Sequence, residues 1–318
     1  MQRVLVVCFS QTGQLRDIVE ATIAPLRRAA GIAVVVETLR PARPFPFPWP
    51  FWQFFDTFPE TVHEVAQPNQ RMAVSPDEHF DLVILAYQVW FLSPALPTTA
   101  FLDSPEARSL LAGRPVITLV GCRNMWLMAQ ERMKERLAAL GARLIDHIAL
   151  TDRAHSSFTF VSTPLWMLTG KRGPFLGGVV PAAGVPAADI AACSRFGEAI
   201  AAQLPDRDPN DDRPMLQGLG AVAVNERLIA SERIGKRSFR LWGSLLRALG
   251  APGTPPRRAA LGLYILFLLT LILTVVPISA VLKRLLAPLA RGRTAAQRAY
   301  FAAPSGEARD LVRSGNTS

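Results

Sequence analysis

Short apolar runs alternate along the chain with stretches whose apolar residues recur every three to four positions. Residues 4–9, VLVVCF, form a continuous apolar run of the kind a strand buried on both faces requires. Leu15, Ile18, Val19, Thr22, Ile23 and Leu26 then repeat at helical spacing, and Gly31 stands where a helix C-cap belongs. Residues 32–39 are rich in β-branched side chains and predict a second strand, 82–86 a third, 116–120 a fourth and 144–150 a weaker fifth. Helical patterns cover 126–140, closed by Gly141, and 187–204. This alternation predicts an α/β fold, a doubly wound five-stranded parallel sheet with helices on both faces.

Two insertions break the pattern within residues 1–204. Residues 41–60, PARPFPFPWPFWQFFDTFPE, place Phe45, Phe47, Trp49, Phe51, Trp52, Phe54, Phe55 and Phe58 among prolines that suppress regular structure. Such a loop packs as an irregular lid on its own domain, walls an apolar ligand, or dips into lipid; the density of aromatics favours a functional role. Residues 158–186 form a second insertion on the expected ligand side. A polar, Pro-containing stretch, 205–215, reads as a linker. Residues 216–258 form a basic, amphipathic region expected to lie near a membrane, with Trp242, Leu245, Leu246 and Leu249 among Lys236, Arg237, Arg240 and Arg247. Residues 259–282 contain no charged side chain and predict a transmembrane helix bracketed by Arg257–Arg258 and Lys283–Arg284; 283–318 is a basic tail, either beyond the span or returning to the interface.

Charge sharpens this division. The chain of 318 residues carries a formal charge of +10, yet residues 231–318 alone hold 14 Lys/Arg against 3 Asp/Glu, which leaves the remainder at −1. Basic residues flanking an apolar span meet lipid phosphates, so membrane lipids, and not nucleic acid, are the expected partner. Cys8, Cys122 and Cys193 show no disulfide framework, and His63, His79 and His147 show no metal-ligand spacing, so no metal site is expected. The first apolar run is too short for a secretory signal. The expected location is therefore the inner (cytoplasmic) membrane, crossed by one pass, with the α/β domain in the cytoplasm.

In an open parallel sheet, ligands bind beyond the carboxyl ends of the strands. After the first run comes Ser10-Gln11-Thr12-Gly13-Gln14-Leu15, small polar residues at the positive end of the following helix, a setting that suits an anion. No Lys follows the Gly, and GxGxxG is absent, so a phosphate monoester fits better than a nucleoside triphosphate or a dinucleotide.

SQTGQL resembles the first loop of the flavodoxin-like FMN proteins, among them the NAD(P)H:quinone reductases, whose pattern is Ser/Thr-x-Thr-Gly-x-Thr; Leu15 departs from it. The loop after the third strand, with Tyr87, Gln88, Val89, Trp90 and Phe91 before Pro94 and Pro97, resembles that family's Pro-x-Tyr-x-x-x-x-Pro loop. Gly121, Cys122, Arg123, Asn124 and Trp126 follow the fourth strand, where the family places a second flavin-facing loop. The resemblance covers roughly residues 1–204. It implies a flavodoxin-like fold binding FMN, with Ser10 to Gln14 at the phosphate and Tyr87, Trp90 and Asn124 bordering the ring. It admits NADH or NADPH as electron donor, although neither has a recognisable signature in the sequence, and a homodimer across the flavin site is one assembly it suggests. The SQTGQL start, aromatic insertion and apolar C-terminal segment together are similar to bacterial proteins known as dialkylresorcinol condensing enzymes, linked to resorcinol lipids and aryl-polyene pigments.

Three functions follow. The first is a membrane-anchored FMN-dependent oxidoreductase acting on a hydrophobic, lipid-dissolved substrate, a quinone or an aromatic or polyene lipid precursor. The second is a condensing enzyme in which Arg123 favours a Cys122 thiolate and His155 acts as its base. The third is a non-catalytic flavodoxin-like electron carrier or scaffold.

Overall fold

A computed structural model describes residues 1–274 and 291–306. Five strands, β1 (Gln2–Cys8), β2 (Ile32–Thr38), β3 (Leu82–Tyr87), β6 (Pro115–Cys122) and β7 (Arg143–Thr151), pair in parallel in the order β2-β1-β3-β6-β7. Counting only these strands, the order is 2-1-3-4-5, the flavodoxin-like doubly wound arrangement, in which direction reverses at β1/β3. The continuous apolar runs have the predicted cause: Val4 to Val7 and Leu82 to Tyr87 are buried on both faces. Helix α1 (Gln14–Arg28) turns Leu15, Ile18, Val19, Ile23 and Leu26 inward, as their spacing predicts.

The second strand-loop is more ordered than its sequence suggests. A short hairpin, β4 (Val89–Trp90) and β5 (Ser93–Pro94), follows β3. Its turn places Phe91 and Leu92 at φ 48° and 59°, the pair of left-handed residues a type I′ turn demands. The first insertion folds into α2 (Phe51–Asp56) and α3 (Phe58–Val62), and the hairpin leads into α4 (Leu96–Leu102) and α5 (Pro105–Leu111). Helix α6 (Leu127–Ala139) joins β6 to β7. The second insertion opens with α7 (Ser156–Thr169), and the expected helix over 187–204 is broken into α8 (Ala187–Ala191) and α9 (Ser194–Gln203).

The body does not end at residue 204. Met215 and Leu216 donate their N–H groups to the buried Asp146 carboxylate at 2.7 and 3.2 Å, and Ala149 N–H donates to Ala221 at 2.8 Å, so residues 215–221, the end of the expected linker and the start of the basic region, are docked along β7. Helix α10 (Glu226–Ala248) packs against α3 and α6, burying Ile229, Glu232 and Leu246; the basic region is thus a wall of the domain. Helix α11 (Pro255–Leu273) is the described part of the apolar segment, and by length and composition it can cross a membrane. The rest of the expected span, from residue 275, and much of the basic tail lie outside the described residues.

The described part of that tail packs on the domain. Helix α12 (Arg291–Ala302) lies back on the domain, with Phe301 in the core and Tyr300 donating to Glu131 at 2.6 Å. Ser305 Oγ then accepts from His147 N–H and donates to Asp146 Oδ1, both at 2.6 Å. Described residues before and after the apolar segment therefore pack on the same body.

Candidate functional site

The corner after β1 is a set of donors. Gly13 holds φ 87°, which turns the chain into α1 and costs a Cβ-bearing residue strain. The N–H groups of Thr12, Gly13 and Leu15 meet no acceptor among the described residues. Gln14 is buried, its Oε1 accepts from Val185 N–H at 3.2 Å, and its Nε2 has no partner. The Arg16 guanidinium lies 3.6 Å from where a Cβ on Gly13 would stand. Leu15, the departure from the hydroxyl pattern, is a core residue beneath the corner. Free N–H groups, an orphaned buried amide and a helix N-terminus together fit a phosphate, whose oxygens only accept.

Gln11 ties this corner to the other walls. Its N–H donates to Gln88 Oε1 at 3.0 Å, and its own Nε2 donates to the Phe45 and Pro46 carbonyls at 3.1 and 2.7 Å. The aromatic insertion consequently closes on the hairpin. Trp90 is the hub, with ring centroids 5.8 Å from Phe9, 5.0 Å from Phe45 and 5.6 Å from Trp49. Val89 is half-buried beside it. Phe91 turns the other way, toward Phe54, Phe58 and Phe239. The structure thus brings Ser10, Gln11, Thr12, Gly13, Gln88 and Trp90 together at the carboxyl end of β1 and β3.

Tyr87 is not at that rim. It is fully buried, and its hydroxyl donates to Gln130 Oε1 at 2.7 Å. Gln130 Nε2 donates to Thr118 Oγ1 at 3.0 Å, and Thr118 meets His147 Nδ1 at 2.8 Å, a polar chain crossing from β3 to β7. Burial pushes the Tyr87 hydroxyl well above its ordinary range and the His147 imidazole down to about 3. Trp126 is likewise a core residue, packed 4.9 Å from the His147 ring. Gly121 faces α1, where a Cβ would stand 2.6 Å from Ile18 Cδ1.

Among the described residues no hydrogen bond joins Cys122 and His155. Burial, with Glu232 adding to it, pushes the Cys122 thiol up, and this outweighs the Arg123 charge expected to make a thiolate. His155 caps α7 instead, its Nδ1 accepting from Ser157 N–H at 3.3 Å. Arg123 lies over the Phe160 ring at 4.0 Å, with no carboxylate within ion-pair distance among the described residues. Burial lowers it to about 10, still cationic at neutral pH. Asn124 Nδ2 donates to Ser156 at 3.0 Å, while its Oδ1 is buried without a donor.

Several residues that build the site carried no signal in the sequence for that role. Glu232 of α10 accepts from Met128 N–H at 3.1 Å, capping α6, whose own N-cap Trp126 supplies no side-chain acceptor. Its other carboxyl oxygen is buried without a partner, and burial raises Glu232 to about 7. Lys236, one turn on, donates to the Leu92 carbonyl at 3.0 Å and to Ser93 Oγ at 2.5 Å; burial lowers it to about 8. Asp152 holds the second insertion by accepting from Gly184 N–H at 2.8 Å, which sets Val185 against Gln14. Finally, Arg257, expected at lipid phosphates, is buried in ion pairs with Asp56 at 2.7 Å and Glu60 at 2.5 Å. These contacts lie between residues roughly 200 positions apart, beyond the reach of any local pattern.

No family model matches the chain, and no curated protein matches it in sequence. Among solved structures it is similar to a flavoprotein in complex with FMN from Lactobacillus acidophilus, at 12% identity and TM-score 0.38, over 47% of this chain and 93% of that one. A flavodoxin from the domain Archaea aligns at 13% identity and TM-score 0.36, over 64% and 99%. A flavodoxin, WrbA-like protein from Agrobacterium tumefaciens aligns at 7% identity and TM-score 0.36, over 65% and 100%. Identities and scores this low transfer neither ligand nor activity.

Proposed function

We propose that the protein is an FMN-dependent oxidoreductase held at a membrane and acting on an apolar, lipid-dissolved substrate. The observation that carries this reading is the corner of residues 10–15. Three backbone donors without acceptors, the N–H groups of Thr12, Gly13 and Leu15, lie at the positive end of a 15-residue helix, and Gln14 Nε2, beside Gly184, is a further buried donor without a partner. The corner lies where strand order reverses, the usual ligand position in this architecture. Ser10 and Thr12 hydroxyls and the Arg16 guanidinium complete a seat for a phosphate monoester.

Bound there, FMN would supply hydride or single-electron transfer between a donor such as NADH or NADPH and the substrate. The chain's own residues do the rest. Gln11 and Gln88 fix the distance between phosphate corner and hairpin. Phe45, Trp49 and Trp90 form an apolar wall that excludes water and suits a quinone or an aromatic or polyene lipid precursor, as in resorcinol-lipid or aryl-polyene pigment synthesis. Arg123 brings a cation without a carboxylate partner to the loop after β6, where it can hold a carbonyl oxygen or a developing negative charge. Helix α11 supports attachment to the cytoplasmic membrane, and attachment lets a poorly soluble substrate arrive without crossing water.

Purified full-length protein supplied with FMN should quench flavin fluorescence at one equivalent. Loss of that quenching with riboflavin, which lacks the phosphate, would locate recognition at the corner; equal binding of both would remove the argument made from it.

A further inference from the structure

We infer that α2 and the first turns of α11 form one surface seated at the headgroup level of an anionic lipid bilayer, with Phe51 and Trp52 as its interfacial anchors. The inference deepens the membrane reading of α11 and does not depend on FMN. The aromatic insertion divides into two faces. Phe45, Trp49 and Phe54 turn inward to the hairpin, whereas Phe51 and Trp52 stay 45% and 40% exposed.

Those two outward rings stand beside α11. Arg258 lies over the Trp52 ring, 4.8 Å from its centroid, and the same ring comes within 3.9 Å of where a Cβ on Gly262 would stand. Arg258 and Gly262 are four residues apart, about 6 Å along a helix axis. Trp52 therefore spans the step from the last flanking cation to the first apolar turns. That is the depth at which tryptophan concentrates in membranes, its ring in the acyl boundary and its N–H among headgroups. Beyond it, Leu263, Leu266, Leu269 and Leu273 are exposed, and no residue from 266 to 274 is buried, so α11 leaves the body apolar side outward.

Ion pairs and a hydrogen bond tie α11 to the insertion: Arg257 is held by Asp56 at the end of α2 and Glu60 of α3, and Gly253 N–H donates to Asp56 at 2.8 Å. Charge selects the occupant. From residue 233 to 274 there is no Asp or Glu, while Arg237, Arg240, Arg247 and Arg258 are present, a balance that complements anionic lipid.

The test uses the full chain reconstituted in vesicles of phosphatidylcholine mixed with phosphatidylglycerol. Nitroxide labels are placed through Phe51→Cys, Leu266→Cys and, as an exposed control on α5, Ser109→Cys, with the unsubstituted chain giving the background from native cysteines. Relaxation by oxygen, which partitions into lipid, is compared with relaxation by a water-soluble nickel chelate. The expected result is a severalfold higher oxygen-to-nickel ratio at 51 than at 109, shallower than at 266, and lost in vesicles of phosphatidylcholine alone for 51 first. A label at 51 as nickel-accessible as that at 109, while 266 is deep in lipid, overturns the inference and leaves the anchor standing. Both labels in water would overturn the anchor as well, and a label at 51 immobilised yet shielded from both reagents would mean a protein partner instead of lipid.

Discussion

Glu232 and Lys236 lie one turn apart on α10 and hold the two loops that wall the candidate site: Glu232 accepts from Met128 N–H at 3.1 Å, and Lys236 donates to the Leu92 carbonyl at 3.0 Å. Lys236 thereby satisfies the carbonyl at a turn whose two central residues, Phe91 and Leu92, are both left-handed without being glycine. Lys236→Met should cost about 1.5–3 kcal/mol in urea unfolding, the usual range for a hydrogen bond to a charged group. It should also speed hydrogen exchange in residues 88–94 while leaving β1 protected; uniform acceleration would mean that α10 braces the whole fold and not the hairpin.

The raised Glu232 carboxyl gives a pH signature. Its folded value, about 7, exceeds its ordinary one of 4.5, so its contribution is fully present below the unfolded value and is lost as pH rises through the folded value. Glu232→Gln cannot ionise and should escape that loss. The stability of the variant relative to the native chain should therefore grow from about pH 5 to about pH 8, by at most a few kcal/mol. Urea midpoints that shift in parallel at both pH values would show that Glu232 does not titrate in this window.

Tyr87 separates core from rim. Tyr87→Phe removes the hydrogen bond to Gln130 and should destabilise the protein by about 1–2 kcal/mol. FMN titration should be unchanged, because the hydroxyl faces the polar chain to His147 and not the corner. A tenfold weaker FMN affinity with unchanged stability would return Tyr87 to the ring.

Cys122 should be inert. With its thiol pushed up by burial, native protein should react with iodoacetamide at neutral pH far more slowly than a free thiol, and acyl donors should leave no adduct there. Rapid alkylation at Cys122 would reopen the condensing mechanism.

Arg257 should be a pivot of the insertion. Arg257→Met leaves Asp56 and Glu60 facing each other without a cation and should cost about 3–5 kcal/mol, with new protease cleavage in residues 41–60. Arg257→Lys should rescue little, since it cannot reproduce the forked contacts to both carboxylates.

Local periodicity was enough to read the sheet and α1, because runs such as residues 4–7 and 82–86 are buried on both faces and leave an unbroken apolar record. The corner was legible for a similar reason: a strand ending in small polar residues before a helix has few uses. What stayed hidden depends on partners distant in sequence. Tyr87 and Trp126 looked like rim residues because they follow strands, but their orientation is set by Gln130 and His147. Residues 205–258 looked like linker and membrane-proximal helix because polar and basic residues dominate them. Their docking rests on a few buried groups, such as Met215 on Asp146 and Glu232 on α6, which leave no periodic trace. Arg257 read as a membrane flank for the same reason, its acidic partners lying in the aromatic insertion.

The central claim is that residues 10–15 hold the phosphate of FMN. The direct measurement is the phosphorus resonance of FMN titrated with native protein and with the double variant Thr12→Ala, Gly13→Val, alongside thermal unfolding of both. The account predicts a shifted, broadened resonance with the native chain, loss of that shift with the variant, and a variant that still unfolds cooperatively. An unshifted phosphate in the presence of native protein, or an equal shift with the variant, would contradict it.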